Sequence, residues 1–137
     1  MALEKPVQIL SFTSASTYTS ASQQYQLMKL SATGTAVACS AVTDQPIGVL
    51  QNLPAIGEQA EICVLGVTKI RMGTSGSIGS LLQTGADARA VPFVALGTGA
   101  ITTGFTIGRL IPPIESSTNA GGLLTALVNC INLGRSL

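Results

Sequence analysis

Apolar positions in this chain come as short runs separated by glycine, proline and small polar residues, with turn signals about every ten residues. Residues 25–30, Tyr-Gln-Leu-Met-Lys-Leu, form one such run. It ends at the Ser31-Ala-Thr-Gly34 turn, and residues 35–39 read as its return strand. Further strands are predicted at 47–50 and 61–72. Residues 73–79 read as a loop, Leu81-Leu82 opens a short strand before the Gly85-Ala-Asp-Ala88 turn, and 89–94 and 105–111 read as two more strands. The stretch 44–71 is the most explicit. Pro46 and Pro54 remove backbone donors, and Gly48, Gly57 and Gly66 permit bends that other residues resist. Such turn spacing belongs to a sandwich or barrel, so the expected fold is all-β, a compact β-barrel or β-sandwich-like domain.

The two ends read differently. Residues 1–24 contain Ser11-Phe-Thr-Ser-Ala-Ser-Thr-Tyr-Thr-Ser-Ala-Ser22, an uncharged tract too poor in apolar surface to fold alone. Two readings stand for it: a flexible leader, or an extended arm that adds as a strand to a neighbour's sheet. On the second reading Leu3, Val7, Ile9, Leu10, Phe12 and Tyr18 are the candidate contact residues. The β-rich domain then covers 25–137. In its tail Leu123, Leu124, Leu127, Val128 and Ile131 follow helical spacing, with Gly134 placed as a cap. Gly121-Gly122 would weaken the first turn of such a helix, so a short helix and a closing strand both stand, with a slight lean to the strand.

Composition narrows the setting. Charged residues make up 9% of the 137 positions, against roughly 25% in an average soluble domain. Aromatics supply 4%, and the mean hydropathy is +0.49. Either a membrane or other protein must cover much of such a surface. The charge-free stretches 90–108 and 116–134 approach the roughly 20 residues of a spanning helix. The first, however, carries Pro92, four glycines and four threonines, and the second is broken by Asn119, Gly121, Gly122, Asn129 and Asn132. No membrane span is expected, nor a signal peptide, because Met1-Ala-Leu-Glu-Lys-Pro6 leads into the Ser/Thr-rich tract. Extensive burial against protein is the expectation that remains.

The net charge is +1, and the seven basic residues are scattered, so direct nucleic-acid binding has little electrostatic support. Cys39, Cys63 and Cys130 lack metal-ligand spacing and read as buried free thiols. No histidine is present, and no serine sits in a Gly-x-Ser-x-Gly elbow. Glu58 and Glu61 read as solvated edge charges rather than an acid/base pair. The loops 73–79 and 97–104 miss the phosphate-binding and dinucleotide patterns. Met28-Lys29 superficially resembles the tip of a biotin carrier, but the lysine falls inside a predicted strand. Neither a catalytic residue, a metal site nor a cofactor is expected, and an enzyme or carrier is the distant alternative.

Three phrases carry a resemblance: Lys29-Leu-Ser-Ala-Thr-Gly34, Asp44-Gln-Pro-Ile-Gly-Val-Leu-Gln-Asn-Leu-Pro-Ala-Ile-Gly57 and Val64-Leu-Gly-Val-Thr-Lys69. Weaker echoes follow at Gly79-Ser-Leu-Leu82, Gly85-Ala-Asp-Ala-Arg-Ala-Val91 and Ile107-Gly-Arg-Leu110. In this order they resemble the small decoration, or cement, proteins of tailed bacteriophage capsids, over a little more than half the chain. The resemblance implies a β-rich virion protein, assembled in the host cytoplasm and bound to the outer surface of the mature capsid. It further implies homotrimers near local three-fold positions that clamp major capsid subunits against internal DNA pressure. The Ser/Thr-rich start and the tail after Pro112-Pro113 fit that pattern less well. Another virion module, a head-fibre base or a tail-associated β protein, is the alternative.

Overall fold

The computed structural model describes residues 4–93, 104–112, 121–131 and 134–135. The strands follow in order: β1 (Lys5–Thr13), β2 (Leu27–Leu30), β3 (Ala36–Ala38), β4 (Gly48–Leu50), β5 (Gln59–Arg71), β6 (Leu81–Thr84), β7 (Ala90–Pro92), β8 (Phe105–Thr106), β9 (Gly108–Leu110), β10 (Leu123–Asn129) and β11 (Gly134–Arg135). Among the described residues a single 3-10 turn, Ala21–Gln23, carries a capping box between Ser20 and Gln23. Among the described residues the chain is all-β, as its periodicity predicts.

Nine strands form one antiparallel sheet in the order β3-β2-β4-β5-β10-β9-β6-β7, with β1 added on β5. The 13-residue β5 is its spine. Ile62 and Cys63 pair with both β1 and β4, while Gly66 and Val67 pair with both β1 and β10. A strand has two edges, so β1 occupies one, and β4 and β10 follow one another along the other. The sheet curls into a half-barrel. Its far end comes back to the spine through a bridge between Met72 and Ala90, and the Leu27 amide donates to the Ala88 carbonyl.

Burial along β5 alternates except at Ile62, Cys63 and Val64, which are all buried. Both faces of the sheet are therefore covered there. One face contributes Leu27, Val49 and Cys63 to the barrel interior, alongside Ile70, Met72 and Leu124. The opposite face carries Met28, Leu50, Ile62 and Val64 into a second cluster. That cluster is closed by Tyr18, with Phe12 packed at its margin. Here the structure corrects the reading of the first 24 residues. Ser14 and Tyr18 are buried in their own domain, and the amides of Ser14, Ala15 and Tyr18 donate to the carbonyls of Glu58, Ala36 and Pro54. The tract is poor in apolar surface, but one tyrosine laid over a preformed apolar face suffices to hold it.

The tail resolves as the strand β10, in register with β5 from Leu123↔Arg71 to Asn129↔Leu65. Helical spacing of its leucines is overridden because Leu124, Ala126 and Val128, two apart, all face the interior.

Candidate interaction surface

On β1, residues 5–10 are exposed although their backbone is paired. Val7 is 75% exposed, Ile9 43% and Leu10 40%. Two register shifts, between Pro6 and Gln8 and between Gln8 and Ile9, interrupt the first half of the strand; from Ile9 to Thr13 the pairing is regular. Pro, Lys and bulges are the devices that blunt sheet edges, and here they gather at the Lys5–Pro6 end. Residues 9–13 carry no such protection.

Beside β1 runs a mostly apolar cleft of about 370 Å³, lined by Leu10, Phe12, Ile47, Val64, Cys130 and Ile131 together with Gln8. Ile131 at its rim is 63% exposed. Burial pushes the Cys130 thiol up to about 12, and the neighbouring thiols of Cys63 and Cys39 add to the shift. Burial likewise raises Cys39 to about 12 and raises Cys63. All three are free thiols, protonated at neutral pH. A second, smaller cleft of about 240 Å³ lies where Leu81, Gly108, Arg109 and Leu127 meet.

The polar corner of the domain is structural. Lys29 lies within β2 and donates to the Asp44 Oδ2 at 2.8 Å. The Ser40 and Ala41 amides donate to the same oxygen at 2.7 and 3.0 Å. Burial alone would raise the Asp44 carboxyl, but these donors outweigh it and hold the group below its ordinary value. Glu58 accepts from the Ala55 amide within its turn, and Glu61 points into solvent. Among the described residues no group of three or more His, Cys, Asp or Glu could hold a metal ion, and no helix is long and apolar enough to cross a membrane.

No family model matches this chain, and no curated protein matches it. Among solved structures it is similar to the head fiber gp8.5 N base of bacteriophage phi29. The TM-score is 0.57 and the identity 17%, over 90% of this chain and 94% of that one. At this identity the likeness is one of fold, and it extends over almost the whole of both chains.

Of the candidate contact residues, Val7, Ile9 and Leu10 lie together on the exposed strand, and Phe12 is half-buried beside the cleft. Tyr18 is corrected to a core residue, 5% exposed, whose hydroxyl accepts from the Ala38 amide at 3.0 Å. Leu3 lies outside the described residues. Sequence reasoning missed Cys130 and Ile131, which adjoin β1 only because β10 runs antiparallel to β5 on its other edge. No local signal in residues 123–131 announces that neighbour.

Proposed function

We propose that this chain is a structural protein of a tailed-phage virion, seated on the outer surface of the head and bound to the major capsid protein. The observation that carries the reading is the fold likeness to a phage head-fiber base over 90% of this chain. The low charge and the exposed apolar strand beside an apolar cleft suit a protein that buries large faces in an assembly. On this reading Val7, Ile9 and Leu10 meet protein rather than solvent. As the base of a head fibre it would occupy few sites per particle, and homotrimers would multiply each weak contact.

A second reading, the cement protein that clamps capsid subunits at local three-fold positions, is favoured by the phrases at 29–34, 44–57 and 64–69. The two differ in copy number and position. Cryo-EM maps of source-phage heads with and without the protein distinguish them. Density at a few sites, lost in its absence, indicates a fibre base, and density at every local three-fold indicates cement. Maps that are identical with and without the protein overturn both.

A further inference from the structure

The structure divides the N-terminal tract at one peptide unit. From Ser14 to Tyr18 the chain is anchored, with Ser14 and Tyr18 buried and three amides bonded to the domain's own carbonyls. Before Ser14, β1 pairs with β5 alone among the described residues, and only Phe12 packs on a buried cluster. Removing β1 from β5 would leave every other strand pair of the sheet intact. An element of this kind, held along one edge by a single partner strand and followed by a fixed anchor, can be exchanged without disturbing the rest of the sheet.

The β5 edge is also specific for its occupant. Gly66 has φ +125, and the β1 backbone crosses it so closely that a Cβ there would overlap the Val7 amide and lie 2.9 Å from the Lys5 oxygen. The Ile9–Thr13 register against Gln59–Cys63 is regular. The β1 segment of a second copy fits this edge by construction, since the same sequence already fills it within one chain. Exchange leaves the strand's own hydrogen bonds unchanged in number. It adds whatever the two domains bury between them, beginning with Val7, three-quarters exposed within one chain, and the exposed parts of Ile9 and Leu10.

We propose that β1 is an exchangeable strand, which in an assembly of this chain leaves its own β5 and completes the same edge of a second copy. The hinge is Thr13–Ser14. Because the anchor begins at the next residue, exchanged domains sit side by side, with the cleft of Leu10, Phe12, Cys130 and Ile131 facing the joint.

Native Cys63 supplies a reporter, because it is fully buried and lies directly across from Ile9. Facing residues of an antiparallel pair have Cα atoms about 4.5–5.5 Å apart, within the span of a disulfide. An Ile9→Cys, Cys63→Ala chain is mixed with the unaltered chain at high concentration, and oxidised. An independent pair, Leu10→Cys in one chain and Ile62→Cys in the other, probes the opposite face of the same register. Exchange predicts a mixed disulfide mapped to these positions in either mixture, in a band at twice the chain mass on a non-reducing denaturing gel. Failure of both mixtures to form the mapped bond overturns the proposal, including the case in which a single-chain Ile9→Cys variant closes only onto its own Cys63. The experiment uses no capsid, so its outcome is independent of the virion reading.

Discussion

Two strands line opposite edges of β5, β1 along Gln59–Val67 and β10 along Leu65–Arg71, and they differ in almost everything except their hydrogen bonds. β10 matches β5 residue for residue and buries Leu124, Ala126 and Val128 in the barrel interior. β1 follows the other edge with two register shifts and leaves Val7, Ile9 and Leu10 in solvent. Backbone pairing therefore places a strand without making it part of the core. What separates the two is the layer beyond: β10 has β9 on its far side and the curled sheet beneath it, whereas among the described residues of β1 Phe12 alone packs on a buried cluster. Strands of the first kind carry the stability of the core, and strands of the second kind contribute less to it.

The largest test of this difference is a pair of truncations. Leu124→Ala should cost about 3 kcal/mol, while Ile9→Ala should cost less than about 1 kcal/mol. Urea denaturation of both variants reads the contrast, and equal losses would break it. Next in size is Gly66→Val, whose side chain strikes the β1 backbone and should cost about 2 kcal/mol by displacing the strand. Cys63, buried beneath that pairing with its thiol raised by burial, should then react with a thiol reagent far faster than in the unaltered chain. Unchanged labelling would mean that β1 stays in place.

Asp44 sharpens the comparison from the anchored side. Its folded carboxyl titrates below the unfolded one, so the stability it contributes is present above about pH 4 and is lost as pH falls through the folded value. Asp44→Asn should cost about 1–2 kcal/mol at neutral pH and abolish that part of the acid sensitivity, leaving β1 untouched. Stability curves against pH for the two chains give the answer. The smallest effect is Tyr18→Phe, which strands the Ala38 amide and should cost about 1 kcal/mol. Amide exchange should quicken at Ala38 and not along β1.

Much of this was legible in the chain. The runs near 27–30, 36–38, 48–50, 59–71, 81–84, 90–92 and 105–110 appear as strands because each lies between turn residues that leave the backbone few alternatives. Val7, Ile9 and Leu10 stood out in the sequence as apolar positions of an extended segment, and the structure places them on the exposed strand β1. Tyr18 was not. A lone aromatic in a Ser/Thr tract has no periodicity, and its burial depends on the face offered by Met28, Leu50 and Ile62, drawn from three separate strands. The cleft was illegible for the same reason, since its walls are contributed by β1, β5, Ile47 just before β4 and the two residues that follow β10.

By itself, then, the sequence determined an all-β chain, the positions of most strands and turns, a composition poor in charge, and an apolar N-terminal segment. These follow from local rules, in which each residue's dihedral preference and side-chain polarity act within a few positions. Only the tertiary structure decided that the anchor begins at Ser14, that the tail is a strand rather than a helix, and that β1 lies on β5 with its apolar residues outward. Those outcomes depend on pairings between residues up to about sixty positions apart, such as Lys5↔Val67 and Leu123↔Arg71. Their free energies come from surfaces that exist only once the sheet has curled.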